Sequence, residues 1–268
     1  MVSFRGASAE AAAVLTDQLG GVAESSAATV AQDLFSVAQS LRAEGSLRRF
    51  ATDPSVAAEA RTGLVTQLFG GKIDPTTLEL LTSAVSRRWT RNRDLADALE
   101  HLGVIGAVRS AGSEGERLVD ELFAVRQTVN ENSELRNALS DPARAEADKS
   151  ALVDSLLSGR ALPATALLVR QALSGSYRTV TAALENYEKT AADVHGEGVA
   201  TVYVARPLAE RDQGRLATGL ARQYGRPVHL NIVVDPTVIG GIRVEIGDDV
   251  IDGTVSSRLD DARRKIAG

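Results

Sequence analysis

The chain carries an ungapped copy of part of itself, and no other feature limits its fold as much. Residues 33–89 fall on 121–177 after a shift of 88 positions, and eighteen of the 57 aligned positions are identical. Leu34-Phe35-x-Val37-x-Gln39 meets Leu122-Phe123-x-Val125-x-Gln127, Leu47-Arg48 meets Leu135-Arg136, and Asp53-Pro54 meets Asp141-Pro142. Leu64-Val65-x-x-Leu68 meets Leu152-Val153-x-x-Leu156, Gly71 meets Gly159, and Pro75-x-Thr77 meets Pro163-x-Thr165. The aromatic residues Trp89 and Tyr177 also correspond. Solenoid units are usually only about 20–50 residues long, so this period indicates one helical module that has been duplicated.

The periodicity inside the repeat is helical. Val30, Leu34, Val37 and Leu41 recur at spacings of four, three and four, which predicts a helix over 24–43 after a first one over 4–19. Asp53-Pro54 reads as a helix start running to Phe69, because aspartate caps and proline fits a first turn. Gly70-Gly71 should stop that helix, Asp74-Pro75 should open the next, and a further helix is expected over 92–107. The glycine-containing stretch Arg109–Glu116 is either the junction of two modules or a loop within one helical body. The second copy then predicts helices near 116–132, 142–157, 163–175 and 177–194.

After His195-Gly196 the period changes to two. Ala200, Val202 and Val204 alternate with Thr201 and Tyr203, and Val228, Leu230, Ile232 and Val234 alternate with His229, Asn231 and Val233, as strands do. Pro207 should open a helix between them that Gly225 ends. Ile242, Val244 and Ile246 form a third alternation, turned at Gly247 onto Val250-Ile251. A last helix carries Val255, Leu259, Ala262 and Ile266 on one face. The expected fold is multidomain and mainly α: two similar antiparallel helical bundles over 1–108 and 109–195, then a small α/β domain over 196–268 with a short mixed sheet.

Composition narrows the function. A formal charge of −5 gives no support to nucleic-acid binding, which needs a basic face. No cysteine is present, which excludes disulfides and thiolate chemistry. No apolar run is long enough to span a bilayer, and residues 1–20 lack the pattern of a signal peptide, so a cytoplasmic protein without membrane insertion is expected. His101, His195 and His229 stand apart from one another; the first reads as surface or partly packed and the last as solvent-facing. Gly70-Gly71-Lys72 lacks the other residues of a phosphate loop and reads as a helix terminator. Gly240-Gly241 lacks the dinucleotide-binding spacing and reads as a close backbone approach or a bulge. Asp248, Asp249 and Asp252 lack calcium-loop spacing and read as a polar hairpin tip before a helix. No Gly-x-Ser-x-Gly elbow occurs. No catalytic residue, cofactor or metal site is expected, which favours a scaffold or adaptor over an enzyme.

One run is family-specific. Val234-Asp235-Pro236-Thr237-Val238-Ile239-Gly240-Gly241-Ile242-Arg243-Val244, then Gly247-Asp248-Asp249-Val250-Ile251-Asp252-Gly253-Thr254-Val255 and Arg258-Leu259, resembles the C-terminal signature of delta subunits of F-type ATP synthases. That family includes the mitochondrial oligomycin-sensitivity-conferring subunit. Ala205-Arg206-Pro207-Leu208 resembles the segment opening the first helix of the same domain. The stretch from Leu135 to Pro142, followed by Lys149 to Leu156, is similar to the helical part of the family. Ordinary members have one helical domain, and the duplicated form resembles those of actinobacteria.

The resemblance implies a non-catalytic stator subunit of the proton-translocating ATP synthase, held peripherally at the cytoplasmic face of the cell membrane. It would join the alpha/beta head to the peripheral stalk and resist the torque of the rotor. The implied partners are N-terminal segments of alpha, with beta as a further contact, and a b or b-like stalk subunit. The implied stalk-binding signature comprises Asp235, Pro236, Ile239, Gly240, Gly241, Gly247, Asp252, Gly253, Arg258 and Leu259. The implied alpha-binding groove is assigned to Leu15, Leu19, Leu34, Val37 and Leu41. The first copy occupies the end position, whereas the second adjoins the C-terminal domain as the family's single copy does, so the sequence leaves the alpha-binding copy open. A helical adaptor of another assembly is the alternative.

Overall fold

Helix bounds repeat as the residues do. In chain order the helices are α1 (Ala7–Gly20), α2 (Glu24–Ala43), α3 (Gly45–Thr52), α4 (Ala58–Phe69), α5 (Pro75–Ser86), α6 (Asp94–Arg109), α7 (Gly115–Glu131), α8 (Ser133–Ser140), α9 (Glu146–Leu157), α10 (Pro163–Ser174) and α11 (Val180–Val194). The bounds of α3, α4 and α5 recur 88 residues later in α8, α9 and α10, and α7 ends where the shift from α2 requires. The computed structural model describes residues 4–257 and forms two compact units, Met1–Ala191 and Ala192–Gly268.

Three of the duplicated motifs have the same physical cause in both copies. The Asp33 carboxylate accepts hydrogen bonds from the Asp74 amide (2.7 Å) and the Thr77 hydroxyl (3.2 Å), and Glu121 accepts from the Leu162 amide (2.8 Å) and the Thr165 hydroxyl (2.5 Å). An acid on the long helix thus closes the N-terminus of α5 or α10, where proline has no amide to donate and the free donors need a partner. Arg48 donates to the carbonyls of Leu41 and Arg42, and Arg136 to that of Asn130, so the repeated Leu-Arg closes the C-terminal end of α2 or α7. Asp53 and Asp141 accept from the amides two residues on, at 2.9 and 2.8 Å.

That last contact corrects the sequence reading. Asp-Pro ends the short helices α3 and α8 and turns the chain, and α4 and α9 begin only at Ala58 and Glu146. The sequence reading has no α3 or α8: each is only eight residues long, opens on Gly45 or Ser133 and ends at an Asp-Pro. Gly71 and Gly159 stop α4 and α9 in the left-handed region, at φ 72° and 68°, as the duplicated glycine implies.

α6 serves both copies. α1, α6 and α11 begin at residues 7, 94 and 180, so α6 ends the first bundle while occupying the starting position of the second. Its Leu95, Leu99 and Leu102 lie in the first core with Leu15, Leu34, Leu81 and Trp89. Its Val104, Ala107 and Val108 lie in the second core, with Ala31 and Phe35 of α2 and with Leu118, Leu168 and Tyr187. The two bundles therefore make one helical unit.

Glycine allows α2 and α6 to meet. A Cβ on Gly103 would stand 2.5 Å from the Phe35 ring, and one on Gly106 would stand 3.3 Å from the Ala27 carbonyl oxygen and the Ala31 Cβ. The ring of Phe35 fills the notch left at Gly103, as small residues permit at any close helix crossing.

The second unit has β1 (Gly198–Val204), α12 (Glu210–Tyr224), β2 (Val228–Val234), β3 (Ile242–Ile246) and β4 (Asp249–Asp252). The sheet order is β2-β1-β3-β4. β1 pairs parallel with β2 (Val202↔Ile232) and antiparallel with β3 (Val202↔Val244), which makes the sheet mixed as expected. Ala200, Val202, Val204, Val244 and Ile246 form its core with Leu220 of α12. Pro207 stays in the turn, and α12 starts three residues later than its periodicity suggests. β2 departs from simple alternation: Asn231 is buried, His229 is half-buried and Val234 is exposed. Residues 255–257 are helical, and the rest of the expected last helix lies outside the described residues.

Candidate partner-binding sites

The family-like run of the α/β domain forms a backbone lock with apolar side chains left outside. Asp235 receives the Thr237 amide (2.9 Å) and hydroxyl (2.7 Å) on one carboxylate oxygen, while its own amide donates to Val204 (2.8 Å). These bonds hold its carboxyl below the ordinary aspartate value, the Thr237 hydroxyl contributing most. Asp252 does the same for Thr254, whose amide (2.9 Å) and hydroxyl lower its pKa. Thr254 in turn accepts the Ser257 amide at 3.2 Å, which caps the start of the terminal helix.

Gly240 and Gly241 have φ of 157° and 82°, and any Cβ on Gly241 would strike the Gly253 carbonyl oxygen. Gly253 donates to Ile242 (2.9 Å) and Val255 to Gly240 (3.0 Å), so two backbones meet where only glycine fits. This is the close approach read from the sequence. Pro236 and Gly247 complete the two turns, Gly247 at φ 60°. Arg258 and Leu259 lie outside the described residues.

The lock presents hydrophobic groups to solvent. Ile239 is 75% exposed and Val250, on the edge strand β4, is 57% exposed. Val234, Ile251 and Val255 are exposed as well. Val255 lies against Gly240, with its Cγ2 3.3 Å from where a Cβ on that glycine would stand, so Ile239 and Val255 neighbour one another. Sequence reasoning selected Ile239 but not Val234, Val250 or Val255. No local signal marks them, because the pairing order β2-β1-β3-β4 decides which strands are edges.

The structure places the helical candidates inside the first bundle. Leu15, Leu19, Leu34, Val37 and Leu41 are all buried in the first core and form no open groove. Spacings of three and four mark the buried face of a helix, and here that face is filled by the bundle itself. The surface of α1 instead exposes Ala13 and Val14.

A buried polar cluster joins the copies. Glu100, 2% exposed, pairs with Arg42 of α2 and accepts from the Ser176 amide (3.0 Å), Gln171 Nε2 (3.3 Å) and the Tyr187 hydroxyl (3.1 Å). Burial and the Glu100 charge raise Tyr187 well above the usual phenol value, so it stays a donor. Glu188, 88 positions on, is held by Arg126 through two bonds of 2.7 and 3.1 Å. Burial raises its carboxyl and the Arg126 guanidinium opposes the rise. In both clusters the carboxylate is engaged by internal donors, as structural ion pairs are. Among Asp248, Asp249 and Asp252, Asp249 is engaged by the Tyr224 hydroxyl (3.0 Å) and Asp252 by Thr254. No group of metal-binding character occurs among the described residues. No described helix is long and apolar enough to cross a membrane.

A sequence profile of the family described as "ATP synthase delta (OSCP) subunit" matches residues 106–266, more than half of the chain. The chain belongs to the ATP synthase delta (OSCP) subunit family. The match takes in the second helical copy and the α/β domain, and leaves α1 to α5 outside. A Nocardioides protein named ATP synthase subunit delta is 58% identical over 99% of this chain and 98% of its own length. Proteins of the same name from Streptomyces avermitilis and Streptomyces coelicolor are 42% and 40% identical, over 99–100% of this chain and 100% of their own. Family members of the long form therefore share the first copy as well.

Proposed function

We propose that this chain is a non-catalytic stator subunit of an F-type ATP synthase, joining the alpha/beta head to the peripheral stalk and holding the head against rotor torque. The observation that carries this reading is the end-to-end similarity to proteins named ATP synthase subunit delta. The surface of the small domain is consistent with it: Val234, Ile239, Val250, Ile251 and Val255 are all exposed there.

The stalk partner is assigned to the α/β domain at Ile239, Val250 and Val255. Asp235, Gly240, Gly241, Asp252 and Gly253 act there as the frame that holds those side chains out. A load-bearing contact needs a rigid presenting surface, and two backbones locked at Gly241 supply one. A b-type helix would dock by its apolar stripe.

The first copy is assigned to the alpha subunits, with the N-terminal helix of alpha lying on the outer surface of α1 as an amphipathic guest. What favours it is the accessibility of α1, whose Val14 is 37% exposed, against the burial of α6 on nearly every side by α2 and the second core. A second reading gives alpha to the second copy, because the family profile covers that copy. A photo-crosslinking amino acid at Val14 or at Leu156, in the full chain assembled into the native complex, separates the two. Crosslinks to alpha from Val14 alone support the first reading, and crosslinks from Leu156 alone support the second. Absence of alpha, beta and b from a gentle copurification would overturn the stator role altogether. The full chain is needed because deleting 1–107 would also remove α6 from the second core.

A further inference from the structure

We propose that the second bundle contains a binding site for a linear aliphatic amphiphile with an anionic head group. The proposal is independent of the stator reading and rests on a difference between the two copies. A cavity of about 270 Å³ opens between α7, α8, α9 and α10, lined by Val129, Leu135, Leu139, Val153, Leu157 and Val169. Its two polar lining residues are Thr128 and Arg160.

The first copy shows how the cavity arises. Shifted back by 88, Val129, Leu157 and Val169 correspond to Leu41, Phe69 and Leu81, and the neighbouring Ala161 corresponds to Ile73. These four side chains have become smaller, against one enlargement among the apolar lining residues, Ala51 to Leu139. In the first copy Leu41 and Leu81 are fully buried, and Phe69 and Ile73 pack onto the same core. The second copy kept the walls and lost the filling.

An apolar cavity of about 150 Å³ is already sufficient to stay dry and admit benzene, so this larger space suits an aliphatic chain of several carbons. Leu156, 42% exposed, and the exposed Arg160 mark its outer side. Arg160 makes no ion pair among the described residues, and Asp154 of α9 is already held by Arg170 at 2.6 Å. An unpaired guanidinium beside an apolar cavity selects a carboxylate or sulfate head over a neutral or cationic one.

The probe is decanoate, titrated calorimetrically into the full chain below its micellar range, with decanol as the neutral counterpart. Saturable one-to-one binding of decanoate is expected, at least tenfold tighter than that of decanol. Arg160→Gln should remove that preference and leave decanol binding within twofold. The double substitution Val129→Leu, Leu157→Phe, which restores first-copy residues, should abolish binding while circular dichroism and melting show a folded chain. If decanoate does not saturate, or binds the filled variant as tightly as the parent, the proposal fails. It fails equally if an amphipathic peptide enters the cavity and decanoate does not. Decanoate binding is read on the isolated chain, so this outcome is separable from any loss of complex assembly.

Discussion

The two helical copies share their closures and differ in how their cores are completed. In both, an acid on the long helix caps the Pro-x-Thr helix, an arginine closes the long helix, and an Asp-Pro turn separates the third and fourth helices. The divergence lies at the crossing of the long helix with the last one. Phe35 is buried against Gly103, whereas the corresponding Phe123 is half-buried with the Arg126 guanidinium 5.2 Å from its ring centre, and Gly103 and Gly106 are replaced by Ala191 and Val194. The acid is retained at Glu100 and Glu188, but its cation has moved from Arg42 to Arg126, one helical turn from the position that the repeat predicts. Local closures depend on a few neighbouring residues and survive duplication unchanged. Core completion depends on what each copy packs against, and only the first copy has α1 while only the second borrows α6.

The contrast can be broken most forcefully at Glu100. Glu100→Ala would leave Arg42 with Asp97 but strand the Ser176, Gln171 and Tyr187 donors, and should lower unfolding free energy by about 3 kcal/mol in urea titrations. Glu188→Ala removes one pair within one copy and should cost less, about 2–3 kcal/mol. Equal costs would mean that Glu100 does not tie the copies together.

Gly103 is the next test. Gly103→Ala should destabilise by about 2 kcal/mol, since the new methyl meets the Phe35 ring. Phe35→Leu in the same chain should recover part of that loss, and a double-mutant cycle reads the coupling directly. An additive cycle would place the cost in the helix rather than in the crossing.

A gain is expected in the second core. Leu157→Phe with Val129→Leu should raise stability by about 1 kcal/mol, as cavity filling does. The same pair reversed in the first copy, Leu41→Val with Phe69→Leu, should lower it.

The smallest effect concerns the Asp-Pro turns. Asp53 accepts from both the amide and the hydroxyl of Ser55, at 2.9 and 2.7 Å, and its pKa is lowered from 3.8, the hydroxyl contributing most. A lowered folded pKa gives stability that is present above the ordinary aspartate value and lost as pH falls through the folded one. The wild type should therefore exceed Asp53→Asn in urea midpoint at pH 5, with the difference shrinking as pH falls below the ordinary aspartate value. At Asp141, where Ala143 offers only its amide, Asp141→Asn should lower the urea midpoint at pH 7 less than Asp53→Asn does.

Much of this was legible before any coordinates. The offset of 88, the stops at Gly71 and Gly159, the switch to period two after Gly196 and the need for glycine at 240 and 241 all follow from local rules of backbone and side-chain periodicity. The sites were less legible. Leu15, Leu19, Leu34, Val37 and Leu41 form an apolar stripe, and a stripe reports that a face is covered without saying by what. α3 and α8 went unread because eight-residue helices gain their stability from packing rather than propensity. Ile239 was found through its place in a family-like run, whereas the exposure of Val250 and Val255 depends on which strand is the sheet edge.

By itself the sequence determined that a helical module occurs twice, that a mixed α/β domain follows, and which family signature that domain carries. These are properties of short segments and their recurrence. Only the tertiary structure decided that α6 belongs to both bundles, that Glu100 joins them, and that the second core is left open where the first is filled. Those depend on side chains far apart in the chain, 87 residues for Glu100 and Tyr187, and no local pattern reports which of them meet.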